Sequence, residues 1–153
     1  MGSNGNSDEF EEFAVVMRPR LVRALVGFCG VDHASDAASE ALLYALEHWD
    51  RVSAMDNPAG YLFRVGQSRG RQKRVPNLPP PLDVGLPDVE PALIPALLRL
   101  PVTQRTAVWL VHGCGWSYRA TAAAMETSES MVGNHLTRGI ESLRRELGVA
   151  EHA

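Results

Sequence analysis

The chain has 153 residues, enough for one compact domain or two small ones, and its 45% hydrophobic and 22% charged content is that of a folded protein. No apolar run is long enough to span a membrane, the polar and acidic opening MGSNGNSDEFEEF lacks the design of a signal peptide, and two cysteines, Cys29 and Cys114, cannot make a disulfide framework. With 15 basic and 18 acidic residues the net charge is −3, which argues against a molecule drawn as a whole to phosphate backbones. A cytoplasmic protein with no membrane partner is expected, and any nucleic-acid contact must be local or assisted.

In chain order, FAVVMRPRLVRALVGF shows apolar residues at mixed spacings of three and four and predicts a helix that Pro19 should kink or split. In DHASDAASEALLYALEHWDRV a clearer helix places Ala38, Leu42, Ala45, Leu46 and Trp49 on one face and most of the acids elsewhere. Asn57 is a good N-cap and Pro58 a good first residue for a third helix. That helix runs into five basic residues, Arg64, Arg69, Arg71, Lys73 and Arg74, with no acid among them. The next stretch, Val75 to Pro91, holds six of the ten prolines and three acids and reads as a linker. Beyond it, PALIPALLRL predicts a short helix, Thr103 can cap TQRTAVWLVHG, and Gly113 and Gly115 end that segment. Ser117 caps a short helix and Ser128 a longer one with apolar Met131 or Val132, Leu136, Ile140, Leu143 and Leu147 at helical spacing. A short helix, a tight turn and a longer helix are what a helix-turn-helix requires.

The basic cluster suits phosphate contacts, and the neighbouring Gln67 and Ser68 are able to read base edges; a solvated helix end is the plain alternative. In the helix-turn-helix the residues placed to meet a major groove are Ser130, Gly133, Asn134 and, one turn on, Arg138. Enzyme signatures are thin. The histidines form no metal-binding spacing, His112 and Cys114 are too few for zinc, and Asp36 and Glu40 lie on an exposed helix without pocket-forming glycines. No cofactor is implied. Trp49, Trp109 and Trp116 are read as packing residues rather than as stacking platforms for bases.

These segments together resemble the small extracytoplasmic-function (ECF) group of bacterial RNA polymerase sigma factors. DAASEALLYALEHWDRV is similar to the family's D-x-x-Q-E-x-F helix, and NPAGYLFRVGQSRGRQKR to its N-P-x-x-W-L-x-R-V-A helix with a basic tail. LPVTQRTAVWLVHGCGWSYRATAAAMETSESMVGNHLTRGIESLRREL is similar, without gaps, to the family's L-P-x-x-x-R … G-x-S-Y-x-E-I-A … S-x-x-T-V-x-S-x-L-x-R pattern. The resemblance implies an all-α chain of two small helical domains: a region 2 bundle over 8–74 and a region 4 helix-turn-helix over 92–148, joined by a Pro-rich linker at 75–91. It implies a non-enzymatic promoter-specificity subunit. Its partners would be core RNA polymerase (the largest-subunit clamp helices and the flap) and promoter DNA, with an anti-sigma factor as a further candidate.

By the same match Asp36, Ser39, Glu40 and Leu43 would dock on polymerase. Asn57, Tyr61, Arg64, Gln67, Ser68, Arg69, Arg71, Lys73 and Arg74 would engage the minus-ten element. Arg119, Ser128, Ser130, Gly133, Asn134 and Arg138 would engage the minus-thirty-five element. The chain departs from the pattern at Ser39 (usually glutamine), at Ala120 and Thr121, at Met131 and at Gly133. Glu126 stands where a turn glycine is usual, which predicts a different turn or a strained one. Ser39, Gly133 and the altered turn motivate a second reading, a sigma-like decoy that binds an anti-sigma factor or polymerase without initiating; a third is a free-standing helix-turn-helix regulator.

Overall fold

The computed structural model describes residues 3–72 and 91–148; the Pro-rich segment, Lys73 and Arg74 lie outside the described residues. Those residues are helical, with no strand among them. Helix α1 (Ser3–Cys29) is followed after Gly30 by α2 (Val31–Glu47), then α3 (Trp49–Val52) and α4 (Pro58–Gln72). The second half comprises α5 (Leu93–Leu98), α6 (Val102–Val108) running into a π-helical turn (Trp109–Gly113), α7 (Tyr118–Met125) and α8 (Glu129–Glu146).

Helix α1 is longer than its periodicity predicts and is not split at Pro19. Pro19 lies on the solvent side, as do Val15 and Val16, so the carbonyl that loses its amide partner faces water, while Leu21, Leu25 and Val26 on the other side are fully buried. The polar start of α1 is anchored by Phe10 and Phe13, which pack edge-on against Trp49 with ring centroids 5.5 and 5.0 Å away. Helix α2 buries Ala34, Ala37, Ala38, Ala41, Leu42 and Ala45, and this alanine-rich stripe lets α1 and α4 approach closely. Leu46, expected on the buried face, is instead exposed. It falls beyond the stripe in the last turn before the chain breaks at His48 (φ −121°, ψ 34°).

In the second half α6, α7 and α8 pack on one another, with Val132, Leu136 and Leu143 as the buried stripe of α8. Val132 rather than Met131 points inward, and Met131 is exposed. Ser117 Oγ accepts from the amide of Ala120 at 3.0 Å and Ser128 Oγ from that of Met131 at 3.1 Å, the two caps the sequence predicts. Thr103 is not a cap, because α6 begins one residue earlier and its N-cap position is Pro101. Glu126 closes α7 in the left-handed region (φ 55°, ψ 46°). The turn therefore keeps the geometry a glycine would favour and places a glutamate in it, at a cost of about 1–2 kcal/mol.

The two halves pack against each other: α1 meets α5, α6 and the π-helical turn, and α4 meets α7. Trp109 is the centre of this junction. Its indole is almost fully buried, and its Nε1–H donates to the carbonyl of Arg23 at 2.6 Å, while Arg23 Nη2 donates to the carbonyl of Gly113 at 2.8 Å. A side chain at Gly27 or Gly113 would collide with the indole, so both flanking positions need to be glycine. The wide turn, closed by the amide of Cys114 donating to Trp109 O at 2.9 Å, sets Gly113 over the indole ring. Trp49 and Trp116 are half-buried, and Trp116 packs edge-on to Phe63 across the junction at 6.0 Å.

Candidate nucleic-acid interface

Helix α4 starts as its sequence dictates. Asn57 Oδ1 accepts from the amide of Gly60 at 3.2 Å, and Pro58 is the first helical residue. From that start Tyr61, Arg64 and Ser68 follow at helical spacing along one side, with Gln67 and Arg69 flanking them. Asn57 thus serves first as a cap. Arg71 lies within α4, and Lys73 and Arg74 lie outside the described residues.

Tyr61 belongs to a cluster that α2, α3 and α4 build together. Its hydroxyl is 2.8 Å from that of Tyr44 on α2, and Arg51 on α3 donates from Nη2 to both, at 2.6 Å to Tyr61. The Arg51 guanidinium lies over both rings (5.9 Å from Tyr44, 5.6 Å from Tyr61), Arg64 over Tyr61 (5.5 Å), and Arg69 over Tyr44 (5.1 Å). His48 stacks on Tyr44 with ring centroids 4.3 Å apart. The hydrogen bond from Tyr44, aided by burial, raises the Tyr61 pKa above its ordinary value of 10.0, so the phenol is neutral at physiological pH. Two aromatic rings amid three guanidinium groups offer stacking faces and positive charge at one place, the combination that holds unstacked bases and their phosphates.

Of this cluster the sequence singles out Tyr61, Arg64 and Arg69, and not Tyr44, His48 and Arg51. Tyr44 is hidden in the pattern of α2, and only the break at His48 brings Arg51 back over it.

Farther along, α4 also faces the second half of the chain. Arg64, Gln67 and Ser68 line a cleft of about 480 Å³ together with Val102, Thr103, Thr106, Ala124, Met125 and Glu126. Arg64 Nη1 is 2.7 Å from Glu126 Oε1. Arg64 therefore belongs both to the aromatic cluster toward α2 and α3 and to an open cleft bordered by α6 and α7.

On α2, Asp36, Ser39 and Leu43 are exposed, and Arg18 on α1 donates to Ser39 Oγ at 2.9 Å and to Ser35 Oγ at 3.1 Å. Glu40 turns away from that surface, toward Arg69 of α4 at 3.7 Å. Leu43 and Leu46 are each about half exposed (47% and 50%), so this face carries apolar side chains that the described residues leave uncovered.

On the helix-turn-helix, Arg119, Ser130, Asn134 and Arg138 are exposed. Ser128 is held by its cap bond to Met131. A Cβ at Gly133 would sit 3.9 Å from the ring of Tyr118, an exposed aromatic that the sequence reading did not single out. Cys29 and Cys114 are free thiols, and burial pushes their pKa values up from 9.0 to about 11 and about 12. Among the described residues no group of three or more His, Cys, Asp or Glu is arranged to hold a metal ion, and no helix is long and apolar enough to cross a membrane.

Residues 92–143, which span α5 to most of α8, match the family Sigma-70, region 4. By fold the likeness extends over both halves. The sigma factor RpoE in complex with the anti-sigma factor NepR from Bartonella quintana superposes with a TM-score of 0.70, covering 94% of this chain and 99% of that one at 21% identity. Residues 92–143 thus carry a Sigma-70 region 4 segment, and the chain has the fold of the sigma factor on which it superposes. An uncharacterized protein of Rhizobium meliloti (strain 1021) is 34% identical over 149 residues, an alignment that takes in 81% of this chain; the chain spans 35% of that relative's length.

Proposed function

We propose that this chain is an ECF-type sigma factor that binds core RNA polymerase and directs promoter recognition, with no enzymatic chemistry of its own, and that it works in the cytoplasm. The observation that carries the reading is the pairing of a Sigma-70 region 4 sequence at 92–143 with the arginine- and tyrosine-lined face of α4 in one sigma-factor fold. In this account α1 to α4, residues 8–74, form the region 2 unit and 92–148 the region 4 unit. The α2 surface of Asp36, Ser39 and Leu43, extended by Leu46, docks on polymerase. Exposed leucines among polar groups suit a helical partner whose apolar contacts supply most of the affinity.

Promoter opening follows from the α4 cluster. Bases of one strand that leave the stack meet Tyr61 and Tyr44 while Arg51, Arg64 and Arg69 neutralise the adjoining phosphates, and the binding energy offsets the cost of unpairing. The second contact is α8, whose Ser130, Asn134 and Arg138 enter the major groove over the minus-thirty-five element, with Arg119 on the backbone. A net charge of −3 is compatible with this, since DNA is met as part of a much larger complex. The fold neighbour was solved with an anti-sigma factor, which supports a protein of that class as a partner here.

Run-off transcription with bacterial core polymerase tests the proposal. A promoter-dependent transcript that requires this chain, and that is lost with Arg64→Ala or Asn57→Ala, is the expected result. A chain that binds core yet yields no transcript from any promoter library is a decoy, the reading that the pairing of Arg64 with Glu126 favours.

A further inference from the structure

The pairing of Arg64 with Glu126 joins a residue of the candidate single-strand surface to the turn of the helix-turn-helix. Three observations meet there. Glu126 is the sole non-glycine residue at positive φ among those described, so the backbone holds an acid where glycine would be easier. Its carboxylate lies 2.7 Å from a guanidinium that at the same time sits 5.5 Å over Tyr61. Around this pair the halves fit closely: a Cβ at Gly60 would stand 3.6 Å from that of Ala124, and Phe63 meets Trp116 edge-on.

Resting on the sigma-factor reading, we infer that Glu126 is a built-in competitor for nucleic-acid phosphate at Arg64, its carboxylate occupying the position an anionic backbone would take and so masking the α4 surface while the halves are together. The ion pair is partly exposed, with side-chain accessibilities of 34% for Arg64 and 69% for Glu126, so it is a weak competitor rather than a lock. That suits a contact that must yield when a charged strand arrives. Phosphate binds Arg64 in geometries a carboxylate also satisfies, so the two exclude each other at one guanidinium.

The test uses the intact chain and a labelled oligothymidylate about a dozen residues long, within the site sizes of single-strand binders. Glu126→Gln keeps the backbone and removes the charge. It is expected to tighten binding about two- to fivefold, the range an exposed ion pair provides. In an Arg64→Ala background, which itself weakens binding, the same change is expected to do nothing. Glu126→Gly, which relaxes the turn and removes the carboxylate, is expected to match Glu126→Gln. Glu126→Gln without effect, while Arg64→Ala weakens binding, overturns the competitor and leaves the sigma-factor reading standing. If Arg64→Ala has no effect either, the assignment of α4 to nucleic acid falls, and the competitor with it.

Discussion

The two surfaces assigned to DNA differ in how far the molecule already uses them. On α4 two cations are engaged within the chain: Arg64 with Glu126 and Tyr61, Arg69 with Glu40 and Tyr44. On α8 the exposed Ser130 and Arg138 face solvent, and Asn134 makes only a long contact, 3.9 Å, to Met131 Sδ. On the proposed function, the surface assigned to an unstacked strand is thus held by weak internal substitutes, and the surface assigned to a rigid duplex is left open. Single-strand capture has to wait for melted DNA, and weak internal contacts delay it without blocking it, whereas duplex docking requires only a presented helix.

The strongest way to break this contrast is to separate the halves. Trp109→Ala removes the indole at the junction and its bond to Arg23, and a loss of about 3–5 kcal/mol in denaturant unfolding is expected, with a larger radius in small-angle scattering. A milder change is Gly27→Ala, which forces a methyl group into the Trp109 ring. It is expected to cost about 1–3 kcal/mol and to raise oligothymidylate binding by α4 while leaving duplex binding by α8 unchanged.

The contrast is sharpened from the other side by Ser128→Ala, which removes the cap of α8 and is expected to lower stability by about 1 kcal/mol and weaken duplex binding only.

The smallest effect at neutral pH concerns the buried thiols. Cys114 lies at the junction beside Arg23 and Trp116, so its alkylation reports opening. Its pKa, like that of Cys29, is raised in the folded chain, so the protonated thiols favour folding relative to the thiolates. That contribution is complete below the unfolded value of 9.0 and is lost as pH rises through about 11 for Cys29 and about 12 for Cys114. Stability constant to about pH 8.5 and declining above 9 is expected, with slow labelling of native protein and fast labelling of Trp109→Ala.

Three of the helix caps were legible in the sequence because they are local, whereas Thr103 does not cap α6. Asn57, Ser117 and Ser128 each bond within three residues, and their chemistry is written in adjacent positions. The Sigma-70 region 4 pattern was legible for the same reason. The junction was not: Trp109 meets Arg23 across 86 residues, and nothing near Gly27 announces that an indole will lie on it. The aromatic cluster was half legible, since Tyr61 and Arg64 sit in one motif, while Tyr44 and Arg51 join them only through the break at His48. Pro19 does not split α1, because local steric preference is outweighed by the packing of the opposite face of that helix.

The proposed role as a polymerase subunit is tested by co-elution of the intact protein with bacterial core RNA polymerase, alongside an Asp36→Ala/Leu43→Ala variant. The account predicts a stable complex with the native chain and its loss with the variant, which keeps its helical content. A native chain that elutes apart from core polymerase contradicts it.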